Sequence, residues 1–542
     1  MDYIGERLLP GQLGHLFIIL SLVASGVATF AYFKGVTSKI PEERDNWKNL
    51  ARISFLTEAF SVFAIVGLIV YINFNHLFEY QYAWKHTSRS LETKYLLACT
   101  WEGQEGSFLL WSFWHCVLGL VVIKRSKQWE IPVMTVVSFA QLILATLVTG
   151  LYFFGEKIGS NPFALLRNET AGPIFSRPDY LSFIKDGNDL NPLLQNYWMT
   201  IHPPVLFLGF ASTLFPFAFA FAGLWTKKYG EWTKAALPWA LFSAAALGTG
   251  LMMGGMWAYE SLTFGGYWAW DPVENASMVP WLTMVAGIHT LLIFKHTGRA
   301  LKPTFLFFIF SFGLILYSTF LTRTGILGDT SVHAFTGEGN SLLYHLLIFM
   351  GLILIPAFVL FFKNSRFIPT VRQEESASSR EFWMFIGSLV LFLAGLVIIG
   401  KTSVPVFNKI FGTNIAAPED VEFAYNRVQI FVAIVIGALT AVSQYLKYKE
   451  TSKSFFWKKM LWPTIIAAVV ASLVLGFGNI DYNKQGLGFL IAIWVAVVSS
   501  IYAAIANLLY IWIGMKGKLK LSGAFQELVL LMTGYKSGSV QT

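Results

Sequence analysis

Long apolar segments recur along almost the whole of this 542-residue chain, and they constrain its fold more than any other feature. A helix needs about 20 apolar residues to cross the hydrocarbon core of a bilayer. Backbone polar groups inside lipid must be bonded within their own segment, which favours helices. The segments lie at 13–33, 52–73, 95–123 (interrupted), 131–154, 198–225, 235–257, 277–294, 303–322, 341–362, 382–400, 427–446, 460–479 and 487–514. They predict an all-α polytopic integral membrane protein with about 13 transmembrane helices.

Composition and charge agree with a membrane protein. Hydrophobic residues make up 55% of the chain and charged residues 13%, and the mean hydropathy is +0.56. The net charge of +9 could suggest nucleic acid as a partner, but the basic residues concentrate in alternate loops. These loops hold 25 of the 40 Lys and Arg residues, and they lie at 34–50, 124–130, 226–234, 295–302, 363–380, 447–459 and 515–522. The positive-inside rule therefore predicts that these loops are cytoplasmic and that the N-terminus is outside. The alternation explains the positive charge by membrane topology, so we expect the lipid bilayer, and not nucleic acid, as the partner.

The cysteines, the N-terminal residues and the long loops give the remaining expectations about how the chain is organised. Cys99 and Cys116 lie in apolar surroundings without a CxxC spacing, so a disulfide framework, a thiol-redox motif or a cysteine metal site is not expected. Residues 1–12 carry acidic side chains, so no cleavable signal peptide is expected. We expect one multi-spanning domain over 1–522, a polar outer loop at 155–197, an aromatic outer loop at 258–278 and a short tail at 523–542.

The aromatic loop is the most unusual local pattern. Flat rings, glycines, carboxylates and a carboxamide follow one another almost without a gap, at Gly265, Gly266, Tyr267, Trp268, Trp270, Asp271, Glu274 and Asn275, with Trp257 upstream. An aromatic belt at the membrane surface explains scattered rings. It does not explain so continuous a run. The pattern therefore predicts a surface for a large, planar, partly polar ligand.

A second polar feature interrupts the third apolar segment. Residues 101–107 bring Glu102 and Glu105 together with two glycines. Charged groups inside a membrane are costly. We expect these carboxylates to face a cavity or the outer interface rather than lipid.

The aromatic run resembles the tryptophan-rich WWD signature of the heme-handling superfamily, which includes cytochrome c maturation proteins C and F and the CcsA-type synthases. Neighbouring motifs make the chain most similar to the F family (CcmF), over about residues 1–520. The shorter C protein lacks most of these motifs. They lie at 101 and 105–111, 161–163, 189–195, 202–204, 270–275, 323–325, 331–335 and 379–381.

This resemblance implies ligands and partners. It implies that His202 and His333 ligate the iron of a b-type heme held at the outer face, as substrate, and that His289 is one of two membrane histidines that hold a second, permanent heme b. It also implies a bacterial inner membrane location with a periplasmic active face. The partners implied are a heme chaperone (CcmE-like), apocytochrome c and its thiol-handling proteins (CcmH-like).

The histidines also have plainer interpretations. An interfacial histidine such as His202 or His333 is usually just solvated, although two of them beside the aromatic run favour ligation. Pro203 and Pro204 suit the first turn of a helix, which would fix His202 at the interface. His289 lies in mid-segment and could be bonded to a neighbouring helix. Structural roles are expected for His15 and His115, exposed loops for His76 and His86, and a cytoplasmic position for His296, while His345 is undecided.

The C-terminus departs from the family pattern. The family places its second membrane histidine in a later span, but no histidine follows His345 in this sequence. Residues 523–542 are too short for another span and an outer domain, so the chain looks truncated there. We expect outer heme binding to be kept and membrane heme b to be held weakly.

The function implied is that of a cytochrome c heme lyase, acting within a complex. Such a protein attaches heme to apocytochrome c cysteines through thioether bonds. It needs no nucleophile of its own, because the substrate supplies the thiols. A heme translocator or heme-loading protein (CcmC/CcsA-like) is the main alternative. An unrelated transporter would show repeats or matched broken helices, and we see neither.

Overall fold

The computed structural model describes residues 3–153, 156–261, 266–328, 339–371, 376–480 and 485–516. Helices dominate this part of the chain, and 13 of them are long and apolar enough to cross a membrane. The helices are α1 (Leu9–Thr37), α2 (Pro41–Phe74), α3 (Gln81–His86), α4 (Thr93–Glu102), α5 (Gln104–Arg125), α6 (Glu130–Leu147), α7 (Leu166–Glu169), α8 (Tyr197–Trp225), α9 (Trp232–Glu260), α10 (Pro272–Thr297), α11 (Leu301–Arg323), α12 (Gly339–Asn364), α13 (Arg380–Thr402), α14 (Val404–Phe411), α15 (Val421–Val442), α16 (Lys453–Phe477) and α17 (Leu487–Lys516). The predicted all-α, multi-spanning architecture is confirmed.

The interrupted third segment forms two helices that separate at Gly103. This glycine is extended, with φ −68° and ψ 166°, so only α5 qualifies as a membrane span. A Cβ atom at Gly103 would lie 2.7 Å from Tyr82 Cε2 and 2.9 Å from His86 Nε2. The helix therefore breaks where the backbone comes close to two rings of α3, and glycine makes that approach possible.

The chain divides into two compact units. The first comprises 1–284, 305–368 and 402–415, and the second comprises 285–304, 369–401 and the chain from 416 onward. In the first unit α8 and α9 come unusually close. A Cβ atom on Gly209 would lie 2.6 Å from Leu247 Cα, and one on Gly250 would lie 2.8 Å from Leu206 Cα. Small residues at such crossings let helix backbones approach each other.

Residues 156–197 of the first unit form short helices and turns. A two-stranded antiparallel hairpin, β1 (Leu151–Phe153) and β2 (Glu156–Ile158), leads into this region. The short helix α7 and several single turns follow. Glu6 ties this region to the start of the chain, because its carboxylate accepts hydrogen bonds from Arg167 Nε at 2.7 Å and Tyr180 Oη at 2.8 Å.

In the second unit, residues 379–381 have a structural role. Arg380 donates to the carbonyl oxygens of Gln444 and Leu446, and the Glu381 carboxylate accepts from Lys449 N at 2.8 Å. Both contacts join the start of α13 to the turn that follows α15.

Candidate functional site

His202 lies on α8 where the helix is fixed by a cap and by a neighbouring tryptophan. The expectation that two prolines occupy the first turn is wrong. The helix begins at Tyr197 because Asn196 Oδ1 caps it by accepting from Trp198 N at 3.0 Å. His202 is therefore the sixth residue of the helix, and Pro203 follows it inside the helix.

Pro203 lacks an N–H group, so the Met199 carbonyl has no partner within the helix. Trp101 Nε1 donates to that carbonyl at 3.0 Å. This bond ties the end of α4 to the turn that precedes His202, and it explains how a proline is accommodated there.

Two adjacent glycines in α9 allow two rings to approach the helix closely: His202 at Gly254 and Tyr267 at Gly255. A Cβ atom on Gly254 would lie 3.0 Å from His202 Cε1, and one on Gly255 would lie 2.8 Å from Tyr267 Cζ. The ring centroids of His202 and Trp257 are 5.8 Å apart in an edge-to-face arrangement. The structure thus brings three predicted site residues, His202, Trp257 and Tyr267, together beside this glycine pair. Sequence analysis missed the glycine pair, although adjacent glycines within an apolar helical segment are the signal that could have revealed it.

The remaining rings of the aromatic loop do not form one flat, exposed surface. Trp268 and Trp270 stand edge to face with centroids 6.0 Å apart. Trp270 is only 8% exposed, whereas Tyr267 is 44% exposed. Trp270 has φ +56°, a left-handed conformation that costs energy in a residue other than glycine, and Gly266 has φ +131°. Gly265 lies outside the described residues.

The two carboxylates of the loop cap α10. Asp271 Oδ1 accepts from Val273 N at 2.8 Å, and Glu274 Oε2 accepts from the backbone N–H groups of Asp271 and Ala269, both at 3.1 Å. Pro272 is the first residue of the helix. This is a reciprocal capping box with proline at the first helical position. Asp271 and Glu274 therefore set the direction in which the loop enters α10.

Asn275 supports the aromatic loop from the protein interior. Its side chain is fully buried, and Nδ2 donates to Trp270 O at 2.8 Å and to Thr402 Oγ1 at 3.1 Å. The first bond holds the strained Trp270 backbone in place. Asn275 supports the loop from inside, and its contact with a ligand stays a prediction.

The remaining predicted iron ligands are His289 and His333. His289 lies in α10, half-buried, in the second unit. His333 and the 523–542 tail lie outside the described residues, so their predicted roles stay predictions.

The prediction that His86 lies in an exposed loop is wrong. Its side chain lies in α3 and is buried, with 9% exposure. Its Nδ1 atom contacts the Glu102 carboxylate. The ring is buried because it packs against the backbone of the Gly103 break. His76 is half-buried, and burial lowers the pKa of this imidazole, with a smaller contribution from Arg89.

Other histidines have structural partners. His115 Nε2 accepts from Trp111 Nε1 at 3.2 Å inside the first unit. His345 Nε2 lies 2.9 Å from Thr146 Oγ1. His15 is exposed and bonds Asn161 at 2.9 Å.

Glu105 faces a polar cavity, as expected. The cavity encloses about 330 Å³ and is lined by Tyr82, Glu105, Lys157, Ser160 and Glu169, among others. Ser160 Oγ donates to Glu105 at 2.5 Å, and Lys157 pairs with Glu169 at 2.7 Å. Burial raises the pKa of the Tyr82 hydroxyl, and the Glu105 carboxylate raises it further, so the tyrosine remains a hydrogen-bond donor.

Both cysteines are fully buried. Cys99 Sγ donates to the carbonyl oxygen of His86 at 3.0 Å. Burial raises the pKa of the Cys99 thiol, and the Glu102 carboxylate adds to this effect.

These features define a class: a multi-spanning all-α membrane protein with a histidine and aromatic rings gathered at one end of a helix pair. Comparison with known families agrees with this class. A family model described as Cytochrome C assembly protein matches residues 101–327, which include the α4–α5 break, His202 and the aromatic loop.

Characterised relatives identify the family. The chain is 31% identical over 500 residues to the cytochrome c-type biogenesis protein CcmF of Pseudomonas aeruginosa, covering 90% of this chain and 70% of that protein. It is 32% identical over 495 residues to CcmF of Pseudomonas fluorescens, covering 89% and 69%. A solved structure named Cytochrome c Heme Lyase CcmF has the same fold, with a TM-score of 0.69 at 21% identity over 96% of this chain and 74% of that chain. The chain belongs to the CcmF family of cytochrome c-type biogenesis proteins.

Proposed function

We propose that this chain is a cytochrome c heme lyase, which holds heme at the outer membrane face and attaches it to the cysteines of apocytochrome c. The observation that carries the proposal is that His202, Trp257 and Tyr267 lie together against the glycine pair Gly254–Gly255. A neutral imidazole is a common axial ligand of heme iron, and aromatic rings pack well on a planar macrocycle. Family membership and the name of the solved relative point the same way.

The proposed reaction needs positioning rather than a nucleophile from this chain. Each substrate thiol adds across a vinyl group of heme, so that sulfur bonds one vinyl carbon and the hydrogen goes to the other. His202 would hold the iron, and Trp257 and Tyr267 would pack on the porphyrin and restrict its orientation. His333 is proposed, from the family resemblance, as a further iron ligand. Holding both reactants in one geometry lowers the entropic part of the barrier.

The finer assignments follow from the family resemblance. His289 is the proposed ligand of a second, resident heme b, which would keep the iron of the substrate heme reduced. The proposed setting is the bacterial inner membrane with the site facing the periplasm. The proposed partners are a CcmE-like heme chaperone and CcmH-like proteins that present reduced apocytochrome c.

Replacing His202 or His333 by Ala tests the proposal. Each change should reduce both the heme that purifies with the chain and the yield of mature cytochrome c, because one axial ligand is lost. His76→Ala is the matched control and should leave both unchanged. Heme content is read from pyridine hemochrome spectra, and maturation from heme-stained gels.

An equal loss of heme in the His76 variant would show that the assignment is wrong. A wild-type chain that captures heme but never yields mature cytochrome c would favour a heme-loading role instead.

A further inference from the structure

An apolar groove runs along the first unit between α1, α6, α8 and α12. It encloses about 670 Å³, within the roughly 300–1,000 Å³ typical of small-molecule sites. Its walls are aromatic and aliphatic, with Phe30, Phe33, Phe139, Phe221, Leu352 and Val359 among them. Every one of these helices qualifies as a membrane span, so the groove opens at bilayer depth.

A second cavity, of about 490 Å³, lies beside the groove, and its lining adds two lysines, a tyrosine and an asparagine to apolar side chains. Trp225 and Leu360 line both cavities, so the two are adjacent. The second cavity carries Lys227 from the connection after α8 and Lys363 from the end of α12. Both lysines are exposed, and among the described residues neither forms an ion pair.

The floor of the basic cavity is ordered by a neutral polar contact. Tyr229 Oη donates to Asn364 Oδ1 at 2.9 Å, and Asn364 Nδ2 donates to Leu360 O at 2.8 Å. This network joins the α8–α9 connection to the end of α12. Lys227 and Lys363 lie beside this network in the lining of the same cavity, and its neutral groups leave both charges uncompensated.

We propose that the combined groove is a binding site for one anionic phospholipid of the adjoining leaflet. An acyl chain would fill the apolar part, and the phosphate would lie between Lys227 and Lys363. Eleven residues of α12 separate Leu352 from Lys363, which at about 1.5 Å per residue is ~16 Å, the scale of an acyl chain. A soluble anion would leave the apolar part unused, and a neutral isoprenoid would leave the two lysines unpaired.

Lysines at helix ends often reach the headgroup region without binding a particular lipid, so the test needs a charge-matched control. We would purify the full chain and three variants: Lys227→Glu/Lys363→Glu, Lys124→Glu/Lys127→Glu and Val359→Trp. Lys124, in the last turn of α5, and Lys127, in the connection that follows, are exposed basic residues outside both cavities. Val359→Trp narrows the apolar part and keeps both lysines.

Each protein would be reconstituted in vesicles of phosphatidylcholine mixed equally with phosphatidylglycerol, then extracted and examined by native mass spectrometry. Wild type and the Lys124/Lys127 variant should retain phosphatidylglycerol. Since one basic residue near a lipid surface contributes about fivefold in affinity, the Lys227/Lys363 variant should retain at least ~10-fold less. Val359→Trp should also retain less.

Equal retention in the two charge-reversed variants would overturn the proposal, and so would equal retention of phosphatidylcholine and phosphatidylglycerol by wild type. A neutral isoprenoid retained in place of phospholipid would also overturn it. If the Glu variants fail to fold, as judged by circular dichroism and gel filtration, Lys227→Gln/Lys363→Gln replaces them, and unchanged retention in that variant would equally refute the site.

Discussion

At the scale of single residues, Gly254 and Gly255 decide whether the rings of the candidate site can come together. Glycine inside a helix costs roughly 0.5–1 kcal/mol relative to alanine, so two in succession in α9 need a compensating contact. The contact is the close approach of the His202 and Tyr267 rings, which a side chain at either position would block.

Gly254→Val should therefore displace the His202 ring and reduce heme capture nearly as much as His202→Ala does, while the protein still folds. Heme content after purification and the unfolding temperature are the measurements. Gly67→Ala is the control, because nothing lies within 4 Å of a Cβ atom there, and it should be neutral or stabilising by up to about 1 kcal/mol. Normal heme content in Gly254→Val would show that the close packing of His202 on Gly254 is not needed for heme binding.

The buried cysteines give a second prediction at this scale. The thiolate is the reactive form of cysteine, and both burial and a raised pKa suppress it. Because both cysteines are fully buried and the pKa of Cys99 is raised, neither should react with a maleimide in the folded protein at neutral pH. Both should react after denaturation, which intact-mass measurement would detect. Fast labelling of the native chain would contradict the described packing.

At the scale of elements, the aromatic loop owes its shape to the start of α10. Asp271 and Glu274 cap the helix, and Asn275 bonds the backbone of Trp270. These interactions let Trp270 keep its left-handed conformation. Polar residues that look like ligand contacts in the sequence thus build the loop that carries the rings.

Substitutions at Asp271 distinguish capping of α10 from direct contact with a ligand. Asp271→Asn keeps a good cap, so stability and heme capture should stay near wild type, whereas Asp271→Ala should lower the free energy of unfolding by about 1 kcal/mol. Thermal unfolding and heme content distinguish the variants. If Asp271→Asn loses heme at unchanged stability, the carboxylate itself contacts the ligand.

The contrast between helices and loop shows what this sequence could reveal. Membrane helices could be predicted because apolar length alone determines them. The start of α8 could not, because Asn196 competes with Pro203 as a start signal and only the Trp101 bond shows how an internal proline is tolerated. The packing of His202 on Gly254 depends on how closely α8 and α9 approach, and no local pattern encodes that distance.

At the scale of the whole molecule, alternate connections are rich in Lys and Arg, and this alternation is the basis of the proposed topology. Ser126 lies in the basic segment 124–130, at the end of α5, which contains Lys124, Arg125 and Lys127. Ser261, directly after α9, leads into the aromatic loop. The two serines should therefore lie on opposite sides of the membrane.

Single replacements Ser126→Cys and Ser261→Cys test this topology in an otherwise native chain, because Cys99 and Cys116 are buried and should stay silent. A membrane-impermeant maleimide added to intact cells should label the cysteine at 261, since the proposed function requires the aromatic loop to meet a substrate outside the cytoplasm. The cysteine at 126 should react only after the membrane is permeabilised, while unsubstituted protein reports any labelling of the native cysteines. Labelling of both positions from outside, or of 126 alone, would reverse or abolish the proposed orientation, and the heme site would then face the wrong compartment for attachment to an exported cytochrome.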